Sequence, residues 1–232
     1  MPTTPAARER AQVRMPLLLV SATAWALLGL GAMGAHAHEA TPIGSAVRMT
    51  LQWILMFAAM MAPLMTAPVR HVRDRSLPRR RARALALFTA GYCTTGAALA
   101  LLLMSAATAL PPALSAGGAL TALAALTWQC SPAKQRCLNR CHAHRALALT
   151  GAAADADALW FGCTHGSWCV ASCGGLMALP LLVARGHTLM MLAVTLWLAG
   201  ERLERPASPA WRLRGPGKAV RLAVASARAL AE

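Results

Sequence analysis

Long apolar runs separated by short polar connections dominate the chain. A helix needs about 20 apolar residues to cross a hydrocarbon core roughly 30 Å thick, and six runs reach or approach that length. They cover residues 15–35, 49–69, 84–104, 113–129, 158–183 and 188–200. The fourth run is at the short limit, and the sixth is shorter still. The pattern predicts an all-α protein, a polytopic membrane helix bundle of about six transmembrane helices.

The positive charge in the connections between the apolar runs predicts the orientation of the bundle in the membrane. Residues 70–83 contain seven Arg and one Asp, and residues 134–145 add four basic side chains. By contrast, the connection at 36–47 carries Glu39 as its only charged residue. Basic connections stay on the cytoplasmic side of bacterial membranes. We therefore expect both termini inside, in a multi-pass protein of the bacterial inner (cytoplasmic) membrane whose partner is the lipid bilayer.

The chain divides into four predicted segments. They are a cytoplasmic N-terminal segment at 1–14, a first transmembrane helix at 15–35, a metal-binding membrane domain at 49–205 and a basic cytoplasmic tail at 206–232. Arg221 and Arg228 make the tail too polar to span, so we expect an interfacial helix on anionic headgroups. The alternative for 15–35 is a signal peptide, because Ala35-His36-Ala37 resembles a cleavage site.

Composition excludes several classes of protein. Hydrophobic residues make up 57% of the chain and charged residues 13%, which argues against a soluble domain and against disorder. The basic residues that give the net charge of +15 lie between apolar runs. Their placement indicates how a membrane protein is oriented and does not suggest a nucleic-acid partner. Seven Cys in so apolar a chain do not suit a secreted disulfide framework. Carboxylates are nearly absent from the runs, so a non-enzymatic function is favoured over acid–base hydrolysis or proton-coupled transport.

The second run carries four methionines, Met56, Met60, Met61 and Met65. The first two lie about 40° apart on a helix, as do the last two, but the pairs are about 140° apart. The four thioethers are therefore not expected to face one site, and Met commonly fills irregular helix contacts. Pro63 frees the carbonyl of Ala59 and predicts a kink beside Met60.

Two cysteines follow the fourth run. Ser131 and Pro132 suit the N-cap and first residue of a short helix, which would place Cys137 and Cys141 one turn apart on the same side. Three basic residues should face water or headgroups, namely Lys134, Arg136 and Arg140. Cations beside the thiols should favour the thiolate, the form that binds metal. The alternative is an interfacial amphipathic helix whose cysteines are small apolar residues.

The fifth run carries donors that step by four residues, His165, Cys169, Cys173 and Met177. Neighbours stack while the ends lie about 120° apart, so three of the four can serve one site. Four glycines allow a close helix approach, namely Gly162, Gly166, Gly174 and Gly175. The cysteines lie between the midplane and the reducing cytoplasm, so we expect thiols. Sulfur with imidazole selects Cu(I) first and Zn(II) second.

Four motifs form a set between residues 49 and 205. They are Met-x-x-x-Met-Met-x-Pro at 56–63, Gly-Tyr at 91–92, Gln-x-x-Pro-x-Lys-x-x-Cys-Leu-x-x-Cys at 129–141, and His-Gly-x-x-Cys ending in Leu-Met at 165–177. The set resembles a bacterial family of predicted metal-binding integral membrane proteins, a domain of otherwise unknown function. The resemblance implies membrane location and metal binding, without an established reaction. The chain departs from the family pattern at Trp128, Ala171, Ser172 and Gly174, and Ser172 replaces the first of two adjacent cysteines.

The sequence thus predicts an integral membrane protein that binds a soft transition metal ion, copper before zinc, for handling, storage or delivery to a protein partner. Its predicted ligands are Cys137, Cys141, His165, Cys169, Cys173, Met60 and Met61. A metal transporter is one alternative, and it would need ligands in both halves of the membrane. A membrane dithiol redox protein is another, although enzymes that form secreted disulfides keep their thiols outside. A scaffold with incidental thiols is the third.

Overall fold

The structure, a computed structural model, describes residues 5–33, 42–109, 118–182, 186–213 and 215–231. The helices there are α1 (Pro5–Met33), α2 (Pro42–Met61), α3 (Thr66–Arg75), α4 (Arg81–Ala109), α5 (Gly118–Cys130), α6 (Pro132–Cys141), α7 (Gly151–Ala178), α8 (His187–Leu203) and α9 (Gly217–Ala231). Short 3-10 turns occupy Ala62–Met65, Pro78–Arg80 and Leu179–Leu182. No strand occurs among these residues, and the predicted all-α class is confirmed.

The helices group into two compact units, Met1–Arg81 and Ala82–Glu232. In the first unit α1 packs along α2. The hydroxyl of Ser21 in α1 donates a hydrogen bond to the carbonyl of Ala59 at 2.7 Å, and Arg73 of α3 donates to the side chain of Gln12 at 2.6 Å. Because α1 begins at Pro5, the predicted N-terminal segment and first span share one continuous helix.

Pro63 has the local effect predicted for it. Helix α2 ends at Met61, a 3-10 turn follows, and the carbonyl of Ala59 accepts its hydrogen bond from Ser21. A 3-10 turn advances about 120° per residue, so Met61 and Met65 lie about 120° apart and not 40°. Their predicted stacking is therefore wrong. All four methionines of this region are buried within the first unit.

Two helices among the described residues are long and apolar enough to cross a membrane, Ala11–Leu30 and Thr50–Arg75. The six predicted spans are therefore not confirmed. Helix α5 has 13 residues and α8 has 17, fewer than the roughly 20 that a span needs. Helix α7 is long enough, but its His, Ser, Thr and Gly residues lower its hydropathy. The predicted cleavage site and residues 113–117 lie outside the described residues.

Close backbone contact between α4 and α7 organises the second unit. A side chain at Gly91, Gly162 or Gly166 would collide with atoms of the other helix. The predicted close approach is thus found at Gly162 and Gly166. Gly175 approaches α5, whereas a side chain at Gly174 would meet no atom within 4 Å, so the expectation was wrong there.

The second half of the basic tail forms helix α9, whose beginning is joined to α8. Its predicted place on the membrane surface stays a prediction. A side chain at Gly200 would collide with Pro216, and the backbone N–H of Lys218 donates a hydrogen bond to the carboxylate of Glu204. The segment between the two helices also reaches α5, since the backbone N–H of Arg212 donates to the Cys130 carbonyl at 3.1 Å. These contacts hold the end of α8 in place, and that end contributes to the site described next.

Candidate metal centre

Helix α6 begins where the sequence predicts. The hydroxyl of Ser131 accepts a hydrogen bond from the backbone N–H of Lys134 at 3.1 Å, and Pro132 is the first helical residue. This N-cap fixes the phase of the helix. Cys137 and Cys141 consequently lie one turn apart, and both are buried, as expected for residues on one side.

Lys134 departs from the prediction that it faces water or headgroups. Its side chain is buried, and Nζ lies 2.6 and 2.7 Å from the two carboxylate oxygens of Glu201 in α8. Arg136 and Arg140 are exposed, as predicted. Burial lowers the pKa of Lys134, and the Glu201 carboxylate opposes that shift. The ion pair joins α6 to α8.

The thiols of α6 do not have the thiolate character expected from neighbouring cations. Burial raises the pKa of both Cys137 and Cys141. At Cys141 the guanidinium of Arg202 in α8 opposes this effect without overcoming it. The expectation was wrong because the basic side chains of α6 itself point outward or pair with a carboxylate.

Helix α7 turns its four predicted donors towards the interior of the second unit. His165 is 5% exposed, and Cys169, Cys173 and Met177 are 2%, 1% and 1% exposed. The side chains of Cys169 and Cys173 are hydrogen bonded, and Cys173 Sγ lies 3.7 Å from Met177 Sδ. One helix face therefore brings two thiols and a thioether together.

Cys169 is the thiol with the most polar surroundings. The Tyr92 hydroxyl of α4 donates a hydrogen bond to Cys169 Sγ at 3.2 Å, and Arg202 Nη2 donates to the same sulfur at 3.2 Å. A guanidinium can only donate, and here a phenol also directs its proton at the sulfur. Such surroundings suit a sulfur atom that carries negative charge.

Cys141 joins this group through Ser172 and Arg202. Its Sγ lies 3.8 Å from Ser172 Oγ, and Arg202 Nη2 donates to the same hydroxyl at 3.2 Å. Arg202 also hydrogen bonds Cys141. Cys137, one turn earlier, is buried but does not share these hydrogen bonds. Sulfur from α6 and sulfur from α7 thus contact one guanidinium from α8.

His165 lies one turn before Cys169, in an aromatic setting. Its ring centroid is 5.7 Å from that of Phe161, 6.2 Å from Tyr92 and 6.3 Å from Phe88. Its Nδ1 is buried and has no hydrogen-bond partner in the described ranges. A buried nitrogen without a partner is costly, and a bound cation is one way to satisfy it.

A buried polar cluster supports the end of α8 beside Arg202. The Glu201 carboxylate accepts hydrogen bonds from Gln129 of α5 and, at 2.9 Å, from Trp197 Nε1, in addition to its ion pair with Lys134. Side chains of two other helices, α5 and α6, therefore hold this residue of α8. Because Arg202 is the next residue in α8, the same cluster also holds the backbone from which the Arg202 side chain extends.

The donor set has a definite limit. No three His, Cys, Asp or Glu side chains within the described ranges form a group arranged to hold a metal ion. Met177 adds a further soft donor beside the cysteines, because its Sδ lies 3.7 Å from Cys173 Sγ. Such a set of sulfur ligands is typical of a soft metal ion.

A family model with the description copper chaperone, PpoB2, matches residues 50–224, well over half of the chain. The chain belongs to the PpoB2 copper chaperone family. This match is consistent with the predicted metal-binding family, and copper is the metal that the family description names. The membrane location that the resemblance implied stays a prediction. No curated protein and no solved structure matches the chain.

The region matched by the PpoB2 model contains every predicted ligand. Of these, Cys141, Cys169 and Cys173 lie around the Arg202 guanidinium, but they do not form a three-ligand metal group within the described ranges. Met60 and Met61 are buried in the first unit. The role of all seven residues as metal ligands stays a prediction.

Three residues of the site were not predicted as part of it, namely Tyr92, Glu201 and Arg202. A signal was present in the sequence for Glu201 and Arg202, because a charged residue at the edge of an apolar run is costly unless it has a partner or a function. For Tyr92 the only signal was its position in the Gly-Tyr motif, and that motif alone does not indicate a hydrogen bond to a cysteine.

Proposed function

We propose that this member of the PpoB2 family binds Cu(I) through sulfur ligands of α6 and α7 and hands the ion to a protein partner. The observation that carries the proposal is the convergence of Cys141, Cys169 and Cys173 on one guanidinium, with Met177 in contact with Cys173. Thiolate and thioether ligands favour Cu(I). A structural zinc site would use four tetrahedral ligands from cysteine and histidine, a set that the described residues do not form.

Within this proposal, Cys169 and Cys173 are the principal ligands, because their side chains already contact each other. Met177 supplies a neutral third donor from the same face of α7. Cys141 comes from a different and shorter helix, so it suits the exchange step in which an incoming or outgoing ligand replaces another. His165 and Cys137 complete the candidate set in the second unit.

We further propose that the protein is a multi-pass protein of the bacterial inner membrane. Large apolar side chains are exposed on several helices, for example Leu101 at 72%, Leu189 at 73% and Leu196 at 63%. Polar side chains such as Gln129 and Glu201 are buried. Apolar residues outside and polar residues inside suit a lipid environment. The two apolar helices and the Arg-rich connection at 70–83 support the same setting.

Metal analysis of protein purified anaerobically in detergent tests copper binding. We expect copper in the wild-type protein and a loss of most of it in Cys169→Ser, because a hydroxyl replaces a soft thiolate. Cys163→Ser is the matched control, since Cys163 lies on α7 about 120° from Cys169. Copper-free wild-type protein, or equal losses in both variants, would count against the proposal.

A flux measurement distinguishes delivery of copper to a partner from transport of copper across the membrane. Sealed vesicles that contain the protein should not accumulate copper in the lumen, whereas the loaded protein should lose copper to an added thiol chelator. Accumulation that depends on Cys169 would favour the transporter alternative.

A labelling experiment tests the membrane topology. A Cys introduced at Ser76 in an otherwise Cys-free chain should resist a membrane-impermeant thiol reagent in intact spheroplasts and react after lysis. Labelling of intact spheroplasts would contradict the cytoplasmic assignment of residues 70–83.

A further inference from the structure

The polar cluster beside the sulfur group contains two cations and one carboxylate. Lys134 and Glu201 form an ion pair, and Gln129 and Trp197 complete the hydrogen bonding of the carboxylate. Arg202 is the second cation, and it forms no ion pair with a carboxylate in the described ranges. The cluster therefore holds one positive charge that its acidic side chains do not balance.

Arg202 directs this charge at sulfur. Its Nη2 lies 3.2 Å from Cys169 Sγ and 3.2 Å from Ser172 Oγ, and it hydrogen bonds Cys141. A guanidinium stays protonated in proteins, so its charge is permanent. A cation held among buried groups is costly unless an anion accompanies it.

We propose that Arg202 is a counter-ion that makes the site selective for a monovalent soft metal ion, Cu(I) or its analogue Ag(I), over divalent ions such as Zn(II). The inference rests on the proposed copper binding by Cys169 and Cys173. When these two thiols bind Cu(I), both sulfur–hydrogen bonds break and the two protons leave to solvent. Two thiolates and one monovalent ion carry a single negative charge, and Arg202 completes a neutral assembly.

A divalent ion does not reach this balance with the same ligands. Zn(II) with two thiolates is neutral, so the charge of Arg202 would stay uncompensated next to it. A third thiolate would restore the balance, and Cys141 is the nearest candidate because it also hydrogen bonds Arg202. However, Cys141, Cys169 and Cys173 are not arranged to hold one metal ion together in the described ranges. The position next to Cys173 that could add one is occupied by Ser172, whose hydroxyl hydrogen bonds Arg202.

Competition titrations with Ag(I) and Zn(II), on anaerobic full-length protein in detergent, test the charge argument. Arg202→Gln should bind Ag(I) roughly tenfold more weakly, or worse, and Zn(II) no more weakly than the wild type. Arg202→Lys should keep most of the wild-type ratio of the two affinities, because it keeps the charge. Arg136→Gln, at an exposed position of α6, should leave both affinities unchanged.

A second variant does not depend on the folding of Arg202→Gln. Ser172→Cys is nearly isosteric and adds a third thiol beside Arg202. We expect its Zn(II) affinity to rise by roughly tenfold or more, with a smaller change for Ag(I), because three thiolates and a divalent ion again carry one negative charge.

The outcomes separate the two proposals. Equal losses of Ag(I) and Zn(II) affinity in Arg202→Gln, or an unchanged ratio, would overturn the counter-ion role. So would an unchanged Zn(II) affinity in Ser172→Cys. Wild-type protein that binds neither Cu(I) nor Ag(I) would instead contradict the proposed function on which this inference rests.

Discussion

Two regions of the chain are rich in sulfur, and they differ in what surrounds it. In the first unit, four methionines are buried around a 3-10 turn, and the nearby hydrogen bond from Ser21 satisfies a main-chain carbonyl. In the second unit, Cys169 receives hydrogen bonds from Tyr92 and Arg202, and Arg202 extends the contact to Cys141.

The difference in surroundings indicates which sulfur atoms are suited to bind a metal ion. A thioether that fills space requires only packing partners. A thiol that gives up its proton to bind a metal ion gains from donors and positive charge beside it. This criterion favours Cys169 and Cys141, which contact Arg202, as ligands of the proposed site over the methionines of the first unit.

The largest effect should come from breaking the buried ion pair that supports the cysteine region. Lys134→Met leaves the Glu201 carboxylate buried without its cation, which should cost about 3–5 kcal/mol of unfolding free energy. Thermal unfolding in detergent measures the change. Arg136→Gln, on the exposed side of the same helix, should stay within about 0.5 kcal/mol of the wild type. Identical melting of Lys134→Met and wild type would show that the pair does not stabilise α6.

The two cysteines of α6 should contribute differently to the affinity for Cu(I). Cys141→Ser should weaken Cu(I) binding roughly tenfold, about 1.4 kcal/mol, because Cys141 shares Arg202 with Cys169. Cys137→Ser should change it by less than about threefold, since Cys137 does not share those hydrogen bonds. The sequence alone placed both thiols among the predicted ligands, without distinguishing them. Titration against a chromophoric Cu(I) chelator measures both, and equal losses would restore that simpler view.

His165 offers a prediction with two readouts. His165→Phe removes a buried nitrogen without a hydrogen-bond partner, which should raise the stability of the metal-free protein by up to about 1–3 kcal/mol. The same variant should bind Cu(I) a few-fold more weakly if the imidazole is a ligand. A lower melting temperature of the metal-free variant would show that the imidazole has a structural role.

The smallest effect is expected in the methionine region. Met60→Leu preserves volume and should cost less than about 1.5 kcal/mol of unfolding free energy. Copper content should fall less than in Cys169→Ser, because a neutral thioether contributes less than a thiolate. A copper loss as large as that of Cys169→Ser would place Met60 among the principal ligands.

Local features of the fold follow from the sequence, and long-range pairings do not. Ser131 and Pro132 fix the start of α6 through a hydrogen bond within four residues, so the burial of Cys137 and Cys141 on one side could be predicted. Lys134 was misplaced because its partner Glu201 lies 67 residues further along the chain. Helical spacing places a residue on a face, but it does not name the helix that covers that face.

The same limit applies to the site. The stripe from His165 to Met177 follows from steps of four residues on a helix, and these donors are buried as their type suggests. Arg202 contacts Cys169 across 33 residues of chain, beside a Glu201 that residues of α5 and α6 hold, and no local pattern contains that arrangement. The 3-10 turn at Ala62–Met65, which rotates the following side chains, was missed for a different reason. Pro63 indicated a kink, but it did not indicate that a 3-10 turn would follow.

The glycine contacts between α4 and α7 have a consequence for how this protein can vary. Gly91, Gly162 and Gly166 let the two backbones approach so closely that side chains do not set the spacing of the helices. The distance between Tyr92 and Cys169 is thereby insulated from substitutions elsewhere on both helices. Sequence drift on their outer faces can proceed without disturbing that pair, whereas a single added methyl group at Gly91 or Gly162 would collide with the backbone of the other helix and force the helices apart.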